Sequence, residues 1–293
     1  MTFKTRFAPS PTGPLHLGHA YSALLAYRQA TANEGELLLR IEDIDQSRAR
    51  PHWEAQIYDD LSWLGLRWPE PVMRQSDRLY AYQAALDQLW ARGLLYPCTC
   101  NRKDIAAAAS APQEGAPLHG PDGLIYPGTC RDRSPRTGHR PQDIPLRLDI
   151  AKAAREILEA QKIKNLTSFT ELGQGPNGET GLLAVTAQEL VQTIGDVVLS
   201  RRDMGTSYHL SVVLDDADQG ITHVIRGQDL FEATRIHVLL QVLLNLPTPQ
   251  YMHHHLIRDE TGKRLAKRDD ARAIGKYRSE GAKPADIRHL VGL

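Results

Sequence analysis

Apolar positions near the N-terminus change their spacing from one segment to the next. In "FKTRFA" Phe3, Thr5 and Phe7 fall on one side of a two-residue alternation, which predicts a strand, while "ELLLRI" at 36–41 is an unbroken apolar run of the kind shown by a parallel strand covered on both faces. Between and after them the spacing becomes helical. A helix is predicted over 19–32, behind a proline-glycine turn, and a second over 51–64, with Pro51 in its first turn and Trp53, Ile57, Leu61 and Leu64 on its buried face. A third helix runs to Gly93, with Ser76 as its expected cap. Further strands are expected at "DVVLS", "YHLSVVLD" and "THVIRG", and a long helix at "DLFEATRIHVLLQVLLNL". Alternating strands and helices at both ends predict a doubly wound α/β core.

The middle breaks this rhythm. From Pro97 to about Arg147 the chain is rich in proline, glycine and arginine without periodicity, and "ELGQGPNGETG" at 171–181 reads as an exposed loop. The expected organisation is therefore a first core half over 1–96, an insertion over 97–190, a second core half over 191–246 and a C-terminal part over 247–293.

Charge changes this picture only locally, because 35 basic and 35 acidic residues cancel. Residues 131–155 and 258–288 are basic and could present a face to phosphates, whereas 34–60 is acid-rich. The N-terminal residues lack an apolar leader core, and no run reaches the roughly 18 apolar residues of a membrane span. Three cysteines, two of them in "CTC", do not form a disulfide framework; a reducing, cytoplasmic location is expected. If 96–100 is extended, Cys98 and Cys100 project to one side and chelate one ion, with Cys130 as a third thiolate.

The densest chemistry lies in "RFAPSPTGPLHLGHA" at 6–20. A rigid turn leads from the end of the first strand into a helix whose free N–H groups favour an anion, and His16 and His19 stand at that site with Gly18 between them. Near the other end, "LIRDETGKRLAKRDD" places Lys263, Arg264, Lys267 and Arg268 around Gly262, a loop suited to closing over a polyphosphate.

These segments carry a resemblance. "PLHLGHA" resembles the HIGH signature of class I aminoacyl-tRNA synthetases and "RLAKR" their KMSKS loop, with Arg264 and Ala266 departing from the usual Lys and Ser. The longer stretches "LRIEDID", "YHLSVVLDDADQGITHVIRGQDL" and "HHLIRDETGKRLAKRD" are similar to glutamyl-tRNA synthetases, in the same order. The resemblance implies a Rossmann-like parallel core with an inserted acceptor-type, zinc-binding subdomain and a short C-terminal helical segment. It also implies ATP with Mg²⁺ as substrate and His16, Gly18, His19 and Lys267 as the ATP-binding and catalytic residues.

Glutamate has two carboxylates and one ammonium, so its site needs two cationic or strong-donor groups and one anion. The family pattern falls on Arg6, Phe7, Ala8, Pro9, Ser10, Glu42, Tyr208 and Arg226, with Glu42 taking the ammonium and Arg6 the side-chain carboxylate; Asp43 and Asp45 are read as structural. The resemblance places the fourth ligand of one structural Zn²⁺ on Tyr126, with His119 and His139 as chemically easier alternatives. The chain ends 26 residues after Lys267, without the helical anticodon-binding region of ordinary members. This matches a truncated paralogue that activates glutamate and transfers it to queuosine, a modified anticodon base of tRNA(Asp). A monomer without membrane contact is expected. Three alternatives stay open: an ordinary glutamyl-tRNA synthetase lacking its C-terminal region, a synthetase-like RNA-binding module, and a small-molecule nucleotidyltransferase.

Overall fold

Proline and glycine punctuation decides where the apolar runs start and stop. The protein is described here by a computed structural model covering residues 2–109, 119–133, 136–161, 166–258 and 272–293. The first half comprises β1 (Lys4–Phe7), α1 (Leu17–Ala32), β2 (Glu36–Ile41), α2 (Pro51–Trp63), β3 (Met73–Arg74) and α3 (Leu79–Ala91). Pro51 opens α2, and Ile57, Leu61 and Leu64 are buried as expected, while Trp53 is half-buried. Ser76 does not cap α3. Residues 75–78 form a 3₁₀ turn, and the Ser76 backbone N–H instead donates to Asp43 Oδ1 at 2.8 Å, a charge-assisted bond that fixes this stretch ahead of the helix.

The middle contains β4 (Leu95–Pro97), α4 (Arg102–Ala109), the short strands β5 (His119–Gly120) and β6 (Gly123–Leu124), β7 (Leu146–Leu148) and α5 (Ile150–Gln161). There follow β8 (Thr167–Glu171), β9 (Gly181–Val185), the single turn α6 (Ala187–Glu189) and β10 (Val198–Ser200). Strands β10, β7 and β4 form a small antiparallel sheet. The segment 171–181 connects β8 to β9 in an antiparallel hairpin, but its first residue, Glu171, is buried.

The second half runs through α7 (Tyr208–Asp218), β11 (His223–Gly227), α8 (Thr234–Leu243), β12 (Gln250–His254), α9 (Ile274–Ser279) and α10 (Pro284–Leu290). "YHLSVVLD", expected as a strand, is the helix α7. Ser207 Oγ accepts the Leu210 N–H at 3.4 Å as an N-cap, and residues on several sides of the helix are buried, so the apolar run lacks a one-faced helical stripe. The long helix expected over 229–246 is shorter: a 3₁₀ turn at Gln228–Leu230 precedes α8, and Asn245, at φ 54°, ends it in the left-handed region.

Strands β1, β2 and β3 pair in parallel, as do β11 with β12 and β12 with β8. The two sets meet where the Lys4 N–H donates to Thr222 Oγ1 and the Thr222 N–H donates to the Lys4 carbonyl, each at 2.9 Å. The order is thus β3-β2-β1-β11-β12-β8-β9, with β8 and β9, from within the span 97–190, extending the core sheet. Alternate strand residues serve opposite faces. Leu37, Leu39, Ile225 and Met252 pack with α1, α2 and α10, while Leu38, Val224 and Tyr251 pack with α3, α7 and α8. Helices on both faces make the sheet doubly wound, and each fully buried Leu or Ile in these layers contributes about 1.5–3 kcal/mol. Strand order reverses between β1 and β11, which opens a crevice at the carboxyl ends of both.

Several arginines of the basic run 131–155 are engaged with partners inside the fold. Arg131 pairs with Asp196 at 2.9 Å, Arg136 with Asp149 at 2.7 Å and Arg140 with Asp87 at 2.6 Å, while Arg147 donates to the Asp196 carbonyl at 2.7 Å. Guanidinium forks brace irregular backbone here; among the described residues of the run, Arg133 and Arg155 remain exposed. In 272–288 Arg272 pairs with Glu280, Arg278 with Asp59, and Arg288 donates to the Leu64 carbonyl. Among the described residues, no helix is long and apolar enough to cross a membrane.

Candidate active site

The crevice between β1 and β11 contains a cavity of about 350 Å³ lined by Arg6, Phe7, Ala8, His16, Gly18, His19, Glu42, Tyr208 and Arg226. It shares Phe7, Ala8, His19, Glu42 and Tyr208 with an adjoining space reached by Pro9 and Ser10. The structure therefore gathers all of the described residues expected to bind glutamate or nucleotide. Lys267, with Lys263, Arg264, Ala266 and Arg268, lies outside the described residues.

The paired histidines begin α1. His16 is its N-cap: its Nδ1 accepts the Gly18 N–H at 3.1 Å, and the His16 N–H donates to His19 Nδ1, also at 3.1 Å. Each ring accepts at Nδ1, so each neutral imidazole carries its proton on Nε2. The rings lie 3.8 Å apart. A Cβ at Gly18 would stand 3.0 Å from His16 Cε1, so the glycine makes room for the capping ring. The three-residue spacing is thus a reciprocal capping arrangement that fixes the tautomer of both rings.

On the wall facing α1, Arg6 donates from Nε to Asp216 Oδ1 at 2.9 Å, and the fully buried Arg40 donates to the same oxygen at 2.7 Å. Burial opposes ionisation of Asp216, but Arg6 and Arg40 hold it below the usual carboxylate range. Arg40 also reaches Glu42 Oε1 at 3.2 Å. Burial pushes the Glu42 carboxyl above its usual range, and the charges of Arg40 and Arg6 pull it part of the way back. A cation brought beside Glu42 would favour its ionised form. Tyr208 is likewise pushed up by burial.

From the neighbouring strand β11, Arg226 extends into a buried set of partners: His253 at 3.1 Å, His237 at 3.0 Å, Thr234 at 2.8 Å and the Leu230 carbonyl at 3.2 Å. Sequence reasoning passed over Arg40, Asp216, His237, His253 and Glu171. The adjacent Asp215 and Asp216 were visible as charges in an apolar run, and a helical reading of that run would have placed them inside.

In the middle of the chain, Cys98, Cys100 and Cys130 place their sulfurs within 4.8 Å of one another. Cys100 Sγ lies 3.4 Å from Cys130 Sγ, and Tyr126 Oη lies 3.4 Å from both Cys98 Sγ and Cys100 Sγ. Ligand sulfurs about 2.3 Å from a tetrahedral zinc lie roughly 3.8 Å apart, so the thiol set fits one ion. Burial raises the Cys130 thiol, but bonds from Tyr126, the Thr99 backbone and the other two thiols lower it to about 6. His119 and His139 are exposed and do not belong to the group of metal-ligand atoms found among the described residues.

Residues 2–121 and 181–293 match the family of class I tRNA synthetases (E and Q), catalytic domain. The chain belongs to this family. The synthetase chain is 61% identical over 290 residues to the glutamyl-Q tRNA(Asp) synthetase of Rhodobacter capsulatus, covering 99% of both chains. It is 39% identical over 269 residues to that of Albidiferax ferrireducens, covering 92% of this chain and 85% of the relative. Among solved structures, the glutamate tRNA ligase of Elizabethkingia meningosepticum in complex with its amino acid superposes with a TM-score of 0.71 at 25% identity. That match covers 99% of this synthetase chain but spans 60% of the ligase.

Proposed function

We propose that this chain uses ATP, entering as its Mg²⁺ complex, to activate L-glutamate as glutamyl-adenylate and then transfers the glutamyl group to queuosine in the anticodon of tRNA(Asp), leaving tRNA(Glu) unmodified. The observation that carries this reading is the 61% identity, across 99% of both chains, to a relative that bears that name. The site's chemistry agrees with the amino-acid half of it. Glu42 takes the ammonium, Arg6 the side-chain carboxylate, and Arg226 with Tyr208 the remaining oxygens, while 6–10 forms the floor. Asp216 holds Arg6 through Nε at 2.9 Å, which leaves its terminal nitrogens for substrate.

The glutamate α-carboxylate oxygen attacks the α-phosphorus of ATP, a new O–P bond forms and pyrophosphate leaves. A hydroxyl of the queuosine ring then attacks the acyl carbon, its proton is lost and AMP leaves. No protein nucleophile is needed. Phosphate oxygens gain charge in the first step, and the Nε2–H groups of His16 and His19, fixed by their Nδ1 bonds, donate to them. Lys267 completes the neutralisation from the second loop.

Zn²⁺ in the insertion would be structural, held by Cys98, Cys100, Cys130 and Tyr126, and would tie the end of β4 to the turn at 126–130. The 3.4 Å approach of Tyr126 Oη to two sulfurs supports the phenol over His119 or His139.

The deciding experiment is glutamate transfer to tRNA(Asp) prepared with and without queuosine, followed by location of the ester. Transfer to the queuosine form alone, on the anticodon fragment, is expected. An ester on the terminal adenosine would establish an ordinary glutamyl-tRNA synthetase, and absence of glutamate-dependent pyrophosphate exchange would leave an RNA-binding module.

A further inference from the structure

The partners of Arg226 form a longer chain than a substrate-binding arginine requires. A guanidinium only donates, so His253 Nε2, 3.1 Å from Arg226 Nε, and His237 Nδ1, 3.0 Å from Arg226 Nη1, must both present lone pairs. Each neutral ring then carries its proton on the other nitrogen. For His253 that is Nδ1–H, which faces Glu171 Oε2 at 2.5 Å. For His237 it is Nε2–H, which faces His209 Nδ1 at 3.0 Å; His209 therefore accepts there and donates from Nε2 to Asp122 Oδ1 at 3.0 Å. Every donor direction runs outward from Arg226, and both branches end on a carboxylate.

Both inner rings are almost wholly buried, His237 at 1% and His253 at 2% exposure, and a second proton on either would oppose an N–H to the guanidinium. The Glu171 end is rigid. Its Oε1 accepts the backbone N–H groups of His253 and Gly173, each at 2.8 Å, and a Cβ at Gly173 would lie 2.3 Å from the His253 carbonyl oxygen. The Asp122 end lies between β5 and β6 in the insertion, with its side chain 41% exposed. Arg226 Nη2 is spent on Thr234 Oγ1 and the Leu230 carbonyl. With Nε, Nη2 and one Nη1 hydrogen engaged, the remaining Nη1 hydrogen is the donor left for the cavity, and its direction is set by the partners behind it.

We propose that His253–Glu171 on one side and His237–His209–Asp122 on the other are positioning residues that lock Arg226 in its glutamate-binding pose, each histidine neutral and in a single tautomer. The chain links a hairpin of the insertion to the amino-acid pocket through side chains far apart in sequence. This inference rests on the glutamate reading above. It predicts an effect confined to glutamate, because the chain touches Arg226 and neither of the α1 histidines.

The test uses the full chain in two measurements. Nitrogen-15 NMR of labelled histidines should give His209 and His237 as neutral Nε2–H tautomers and His253 as the neutral Nδ1–H tautomer; the opposite tautomer at His237 or His253 overturns the proposal. In glutamate-dependent pyrophosphate exchange, His237→Leu removes the acceptor and should raise KM for glutamate about 10–100-fold, the range expected for losing a hydrogen bond to a charged group. KM for ATP should hold, and His237→Gln, which restores an acceptor, should recover most of the loss. Asp122→Ala alters a partly exposed turn without opening a cavity in the core, and should raise KM for glutamate by about two- to threefold, with Asp122→Asn near wild type. Unchanged glutamate KM in Asp122→Ala and in folded His237→Leu, or equal rises for ATP and glutamate, would overturn the positioning role. If the wild-type chain shows no glutamate-dependent exchange, the function reading fails, and the tautomers still judge the hydrogen-bond chain on its own.

Discussion

The two walls of the cavity are built on different length scales. The α1 wall is local: His16, Gly18 and His19 bond one another within a four-residue stretch, through contacts two and three residues apart. The facing wall is assembled from distant segments, with Arg6 and Asp216 separated by 210 residues and His253 and Glu171 by 82. The local wall sets donor direction through a helix cap formed by its own residues. The distant wall buries charge and depends on the whole sheet being formed. Substitutions should therefore cost turnover on the first wall and stability or glutamate affinity on the second.

The largest effect is expected at Asp216. Asp216→Asn leaves Arg6 and Arg40 buried without their shared carboxylate and should destabilise the chain by about 3–5 kcal/mol, measured by denaturant unfolding at neutral pH. The acid dependence carries a second signature. Because the folded pKa of Asp216 is depressed, its contribution is fully present above the unfolded carboxylate value of about 3.9 and is lost as pH falls through the folded value. Wild-type stability should fall across that acid window, and the Asn variant should lose this part of the slope. A variant as stable as wild type would collapse the distinction between the walls.

Next in size is His19→Ala on the local wall. Turnover in pyrophosphate exchange should fall about 10²–10³-fold, as for removal of one preorganised donor to developing negative charge, while the lost cap bond should cost only about 1 kcal/mol of stability. A stability loss equal to that of Asp216→Asn would show that this wall also depends on distant structure.

Cys130→Ser extends the comparison to the insertion. Metal analysis should fall from about one zinc per chain to none, and the thermal midpoint by about 4–8 °C, equivalent to about 2 kcal/mol. Adenylate formation should persist in the folded variant. Wild-type protein free of zinc after purification, with all three thiols titrating, would remove the metal from the proposal.

The smallest effect is expected from Ser207→Ala. Its cap bond to Leu210 is long, at 3.4 Å, and its loss should cost about 0.5–1 kcal/mol. Because α7 carries Tyr208, His209 and Asp216, this change should weaken glutamate binding slightly while leaving KM for ATP unchanged, sharpening the assignment of α7 to the distant wall.

The sequence by itself determined what local chemistry determines. The period-two and unbroken apolar runs specified β1 and β2, Pro51 the start of α2, and the proline turn with His16 and His19 the capped start of α1, because caps, turns and alternation act over a few residues. "CTC" and Cys130 likewise announced a shared cluster through their own chemistry. Tertiary structure decided the rest. "YHLSVVLD" became a helix because burial on several sides erased the one-faced pattern that marks one, and with that went sight of Asp216. Glu171, in a stretch that reads as loop, is buried because β8 pairs with β12 and brings it against His253. Arg140 and Arg131 are held against the fold because carboxylates distant in sequence, Asp87 and Asp196, meet them there. Charges look alike along a chain whether they face water or one another; only packing supplies the partner that determines which.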